Sequence, residues 1–149
     1  MTNPSDEFKA AAVKLRDLAT AASTDNDGTP TAHWNAAPCW PKDDDGNRFL
    51  YGDHLTRDDG RTIPWPPLLR GGMRSRAPYM HGQHADYAAA MGPTVGHAVV
   101  GLLNAAAAMA VDYPDLARDH DRAACDDYAC NLMGAALAVA RAINTGGQP

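Results

Sequence analysis

Between Thr94 and Val111 the chain carries no Lys, Arg, Asp or Glu. A charge-free run that approaches the ~20 residues needed to span a bilayer has two homes, the hydrocarbon of a membrane or the interior of a folded domain. Composition decides between them. Eight of its 18 residues are Ala or Gly, and it contains His97 and Asn104, which are costly in lipid. The expectation is a buried helix in a soluble domain, with no membrane partner. Gly96 and Gly101 weaken such a helix by roughly 1 kcal/mol each relative to Ala, so a packing reason is expected for both.

Ala dominates the apolar residues of the chain, and only two Phe are present, Phe8 and Phe49. Helices rich in Ala approach closely, but each contact removes little apolar area from water. Added burial from a second copy would offset this, and a homo-oligomer is the expectation. At 149 residues the chain fits one domain, 1–149, because a core of this size removes roughly 68–70% of the unfolded surface from water. Apolar residues make up 45% and charged residues 21%, which is ordinary globular usage and argues against wholesale disorder.

Net charge is −5, and Glu7 is the only Glu among many Asp. Broad binding to nucleic acid or to anionic lipid needs a cationic surface, so neither partner is expected. Three cysteines, Cys39, Cys125 and Cys130, leave one unpaired under any single disulfide, which favours a reducing compartment over a disulfide framework. The N-terminal MTNPSDEFK lacks a basic stretch followed by an apolar run, so no secretory signal is expected and the expected location is cytoplasmic.

Along the chain, an N-terminal helix over 1–23 follows from Ser5 as cap, from Asp6 and Glu7 at the positive helix end, and from Phe8, Ala12, Leu15, Ala19 and Ala22 at helical spacing. Asp27-Gly28 and Pro30 mark a turn. Residues 31–69 then read as short strands and a proline-rich loop. Arg48–Tyr51, His54–Arg57 and Arg61–Ile63 are separated by Gly52-Asp53 and Asp59-Gly60, the spacing of a small antiparallel meander. Pro38, Pro41, Pro64, Pro66 and Pro67 confine strands to edges.

Residues 84–144 read as helical. A short helix spans His84–Met91, and Gly92-Pro93 opens the charge-free helix, with Val95, Val99, Leu102, Leu103 and Met109 on its apolar face. A last helix puts Leu132, Ala136, Val139, Ala140 and Ile143 on one face and is stopped by Thr145-Gly146-Gly147. A short link makes these two helices an antiparallel hairpin. The fold class is therefore α+β and mostly helical, ordered as N-terminal helix, antiparallel β meander and C-terminal helical hairpin.

Four constellations bear on chemistry. His81, His84 and Asp86 are metal-ligand types, and His at i and i+3 shares one helical face, so zinc is the ion such a set would take. Gly82 disfavours that helix and no HExxH or paired CxxC is present, so no cofactor is the main expectation. Arg70, Arg74 and Arg76, with Arg57 and Arg61 upstream and Gly71-Gly72 between, suit phosphate or nucleotide binding, because arginine forks match phosphate geometry. No phosphate-loop motif accompanies them, and pairing with the surplus Asp is the plainer reading. Cys39 lies between Pro38 and Trp40 with His33 and His54 nearby in sequence; a buried small hydrophobe is expected there rather than a nucleophile. Asp115, Asp119, Asp121, Asp126 and Asp127 lie along the start of the last helix; paired acids could bind magnesium, but no ExxE-type spacing accompanies them, and acids in an early turn are what the helix dipole favours.

Ile63-Pro-Trp-Pro-Pro-Leu-Leu69 is the segment best suited to recognition. Proline-stiffened apolar runs lose little entropy on docking and Trp is enriched in binding hot spots. Trp65, Leu68 and Leu69 are thus the expected partner-binding residues.

The stretch from His84 to Leu103, HADYAAAMGPTVGHAVVGLL, resembles a segment of small accessory proteins of actinobacterial phages and prophages, and more distantly the Ead-like proteins of lambdoid phages. In these an alanine-rich DA-x-YIAA-x-x-P stretch precedes an apolar helix. Asp86, Tyr87, Ala88, Ala89, Ala90 and Pro93 match it. Leu15-Arg16-Asp17-Leu18-Ala19 with Trp34 is similar to the family's first helix and following Trp, and Ala136–Ile143 is similar to its ending. The likeness covers about half the chain. The family's Thr-Pro-Gly-Pro-Trp is replaced by Thr24–Asn35, and Cys39–Met80 has no counterpart. The resemblance implies a non-catalytic accessory protein of a phage or prophage that binds a host or phage macromolecule, with a protein as the expected partner and a host defence or regulatory system as one target. The alternative is a small-ligand or nucleotide binder, or a metal-dependent hydrolase, built on His81, His84 and the Arg cluster.

Overall fold

The computed structural model describes residues 3–38, 46–69, 71, 78–118 and 125–146. The fold is α+β, and its described elements run α1 (Pro4–Ala22), β1 (Asn35–Pro38), β2 (Asn47–Thr56), β3 (Thr62–Pro67), β4 (Met80–His81), α2 (Gly82–Ala90), α3 (Pro93–Asp112), a 3-10 turn (Pro114–Ala117) and α4 (Tyr128–Thr145). The chain forms two compact units, Met1–Leu18 with Gly96–Pro149, and Ala19–Val95.

In the first unit α3 and α4 form the expected hairpin and α1 packs on both. The helix α1 is capped earlier than its sequence suggests. Asn3 Oδ1 accepts from the Ser5 amide at 3.0 Å and the Asn3 carbonyl accepts from the amides of Asp6 and Glu7, with Pro4 at the first helical position, where a missing N–H costs nothing. Ser5 is thereby free to bond elsewhere. It is buried, and its Oγ donates to the Ala107 carbonyl of α3 at 3.3 Å. Phe8 and Leu103 are the large anchors of a core otherwise built mostly of alanines, with Met133 and Leu137 contributed by α4. Polar contacts lock α1 to the end of α4. Glu7 pairs with Arg141 at 2.8 Å, and Lys14 Nζ donates to the Ile143 and Asn144 carbonyls at 2.7 and 3.1 Å, a cation placed on the negative end of a helix. Asp127 caps α4 through the Ala129 amide, and Gly146, at φ 71°, ends it in the left-handed conformation that Gly reaches without steric cost.

Two expectations for this unit change. The helix α3 forms where the charge-free run lies, and it is the one described helix long and apolar enough to cross a membrane, yet only 28% of that apolar stretch is buried. Its inward face is Val100, Leu103, Ala106, Ala107 and Ala110, while Leu102 is 53% exposed. In α4, likewise, Ala136 and Ala140 are buried but Leu132 and Val139 stand 61% and 42% exposed. The apolar positions of each helix exceed what one face holds, so they divide between two. The connection between the helices is also longer than a tight link, running through the 3-10 turn and residues outside those described.

In the second unit β2 is the central strand of an antiparallel sheet ordered β1-β2-β3, with β4 also pairing β2. Asn35–Pro38 pairs with Arg48–Tyr51, and Thr56↔Thr62 closes the β2–β3 hairpin over Gly60, at φ 77°. The proline-rich β3 is an edge strand, as a strand lacking donors must be. The expected break at Gly52-Asp53 is absent: β2 runs straight through it. A Cβ on Gly52 would lie 2.8 Å from both Cβ and Cγ2 of Thr31, so this glycine serves a close approach inside a strand rather than a turn. Thr31 is itself fixed, since its amide donates to the Ser23 carbonyl at 2.8 Å and its Oγ1 to the Ala22 carbonyl at 2.7 Å. It thereby satisfies carbonyls at the end of α1 that have no helical partner.

Candidate binding cavity

A cavity of about 390 Å3 opens in the second unit. Its walls follow from the elements just described. The central strand β2 contributes Leu50, which is 4% exposed. The chain leaving β3 contributes Pro67, Leu68 and Leu69, held to the sheet where the Leu68 amide donates to the Leu50 carbonyl at 2.9 Å. Met80 of β4 and Ala88 of α2 close another side, and Ala22, Thr24 and Asp25 bring the end of α1 and its turn.

Trp34 completes the wall. It is seated against Gly92, where an added Cβ would come within 3.1 Å of the Trp34 Cβ. Its indole Nε1 is buried and has no hydrogen-bond partner among the described residues. An unpaired buried N–H costs about 1–3 kcal/mol, which the free chain bears, while the mostly apolar lining of the cavity favours a largely apolar occupant. Ligand pockets occupy ~300–1,000 Å3, and this volume falls inside that range.

The expected site residues meet this cavity unevenly. Leu68 and Leu69 line it. Trp65 does not; it sits on β3 opposite Asp53, 45% exposed. His81 on β4 and His84 on α2 have ring centroids 6.3 Å apart, and both are exposed. Asp86 is engaged elsewhere, with its Oδ1 3.1 Å from Arg48 Nε. That distance marks an ion pair, while the angle falls short of a hydrogen bond, for Arg48 Nε has no aligned acceptor among the described residues. No group of three His, Cys, Asp or Glu side chains that would hold a metal ion gathers among the described residues. Arg70, Arg74, Arg76 and Cys39 lie outside the described residues.

The remaining polar candidates have structural partners. Arg61 faces Asp59 at 3.8 Å on the exposed hairpin. His33 Nδ1 lies 3.2 Å from Thr94 Oγ1. His54 Nε2 lies 3.3 Å from the Tyr51 hydroxyl, and burial pushes the Tyr51 phenol above its ordinary value. Cys130 is buried, with Sγ 3.9 Å from the Leu116 carbonyl. Asp115 pairs with Arg118 and Asp127 caps α4; Asp119 and Asp121 lie outside the described residues.

Sequence reasoning found the cavity's Leu68 and Leu69 through their proline-stiffened segment, but it missed the cavity. Its walls come from separate stretches between Ala22 and Ala88, and no local pattern links them. The available signal was Gly52 within an otherwise alternating strand, which marks a close backbone approach. No protein-family profile, curated protein or solved structure matches this chain.

Proposed function

We propose that this protein is a non-catalytic accessory protein of a phage or prophage that binds a protein partner by accepting an apolar side chain of it into the cavity of the second unit. The observation that carries the reading is the apolar wall of the cavity, Leu50, Leu68, Leu69 and Met80, which suits an apolar side chain of a partner. The phage setting rests on the resemblance of His84–Leu103 to the accessory proteins named above.

The test is capture of a partner from an actinobacterial host lysate by the wild-type chain, followed by titration of that partner against two variants. Leu68→Arg places a charge in the wall and is expected to abolish binding. Trp34→Phe removes one ring of the indole from the wall together with its N–H and is expected to weaken binding about two- to tenfold, as roughly 1 kcal/mol of lost apolar contact requires. A partner bound equally by all three chains would refute the cavity as the site.

A second reading, a small-ligand binder, draws on the cavity volume alone. Thermal stabilisation by a small molecule, lost in Leu68→Arg and seen with no protein partner present, would favour it.

A further inference from the structure

We propose that the outward faces of α3 and α4 are a self-association seam, through which two copies of this chain pair as a four-helix layer. The first observation is spacing. On α3 the outward side carries exposed Ala98, Leu102 and Ala105 with half-buried Met109, which also packs on the core, and on α4 exposed Leu132, Ala135, Val139 and Ala142. These positions repeat at intervals of four and three residues, the seam spacing by which one helix packs on another. Both helices already use a second stripe inward, Leu103, Ala107 and Ala110 on one and Met133, Leu137 and Ala140 on the other. Each therefore has two helix-packing faces, of which the described residues cover one. Between the outward faces lies a groove of about 190 Å3 whose wall is almost wholly apolar, the shape of a hole awaiting a knob.

Charge and area identify the occupant. Up to Met109 the seam bears no ionised side chain, and Asp112, exposed at the end of α3, is the one acid on either helix; Arg141, the only charged residue of α4, is engaged with Glu7. The whole chain carries −5, so two copies repel each other on most approaches and meet like charge on this face only at its Asp112 end. A bilayer is the weaker candidate, because neither helix has a basic residue in its last turn to meet anionic headgroups. At 20 and 18 residues the helices extend about 30 and 27 Å. With axes 8–10 Å apart, they offer a strip of roughly 500–600 Å2 per copy, and two such strips clear the roughly 1,000 Å2 total that marks a specific interface. Short of Asp112 the face is uncharged, so a two-fold axis can set it against its own copy without opposing like charges.

Gly101 supplies an independent observation. It weakens the helix relative to Ala, and a Cβ added there meets nothing within 4 Å, so no contact among the described residues requires it. With Ala98, Ala105 and Ala108 it forms a small-residue surface beside Leu102, which lets a second helix approach closely.

The experiment is light scattering and sedimentation equilibrium of the full chain from 1 to 100 µM, a range of about a hundredfold in concentration. Wild type is expected at twice the 15.8 kDa chain mass. The double variant Leu102→Asp/Leu132→Asp is expected to be a monomer with unchanged far-ultraviolet circular dichroism, its dimer weakened at least a hundredfold. Both positions are exposed in the isolated chain, so folding survives the change. Gly101→Glu, which has room in the isolated chain, is expected to weaken the dimer at least tenfold. A wild-type monomer at 100 µM overturns the proposal, as does a dimer that persists in the double variant. Wild type floating with phosphatidylglycerol vesicles while the double variant does not would assign the face to lipid and overturn it equally. None of these outcomes touches the cavity of the second unit, whose variants lie elsewhere in the chain.

Discussion

At the scale of single residues, several polar side chains are taken up by ordinary structural work. Ser5 ties α1 to α3, Lys14 covers the carbonyls ending α4, and Asp86 faces Arg48. Tyr51 is the clearest case of an environment altering a group's chemistry. It is 7% exposed and burial raises its pKa, because the phenolate loses water that the neutral ring does not need. The sign of the stability effect follows. Protons bind more tightly to the folded form, so the stabilisation is fully present below pH ~10, the unfolded value, and is lost as pH rises through the raised folded value. The other four of the five tyrosines, Tyr79, Tyr87, Tyr113 and Tyr128, are all exposed. Absorbance at the phenolate band during alkaline titration is therefore expected to contain a late component, above the pH ~10 of a free phenol. Tyr51→Phe should remove that late component and no other; a late component that survives the substitution would show that burial of Tyr51 is not its cause.

At the scale of elements, the sequence carried the α1, α2 and α3 spans and the Gly146 stop nearly to their ends, because caps, periodicity and turn residues are local signals. It failed where a residue's role depends on a distant neighbour. Gly52-Asp53 reads as a turn by composition, but β2 passes through it because Thr31 presses on Gly52 from outside the strand. Leu102, Leu132 and Val139 read as core by periodicity, but a 3.6-residue period cannot say which of two apolar faces turns inward. The same limit applies to the candidate site, where Leu68 and Leu69 were legible from their prolines and Trp34, Leu50 and Met80 were not. Gly52→Ala tests the account of β2. Thr31 is 2% exposed and fixed by its hydroxyl, so the new methyl group cannot be accommodated by a simple rotation. A loss of about 1–3 kcal/mol is expected from overpacking, read as a lower denaturation midpoint at constant slope. In a Thr31→Ser background, which keeps the hydroxyl and removes Cγ2, the loss should shrink measurably. Equal losses in both backgrounds would mean that Thr31 is not what requires the glycine.

At the scale of the whole molecule, the governing fact is that an alanine-rich core gains little free energy per contact. The first unit buries Phe8, Leu103, Met133 and Leu137 among small neighbours and leaves Leu102, Leu132 and Val139 in water. Net stability is a small difference between burial and chain entropy, so moving those exposed side chains into a second copy's seam shifts it appreciably. If two copies fold and pair together, stability must depend on concentration, because unfolding then releases two chains from one dimer. A tenfold rise in concentration contributes about 1.4 kcal/mol per dimer, or about 0.7 kcal/mol per chain. For a chain of this length that corresponds to a thermal midpoint higher by roughly 1.5–3 °C. Calorimetry over a hundredfold range should thus show wild type climbing by about 3–6 °C, twice the tenfold increment, while Leu102→Asp/Leu132→Asp stays flat. A wild-type midpoint independent of concentration would mean that the seam adds nothing to the folded state, and the exposed leucines would then be a cost the monomer bears alone.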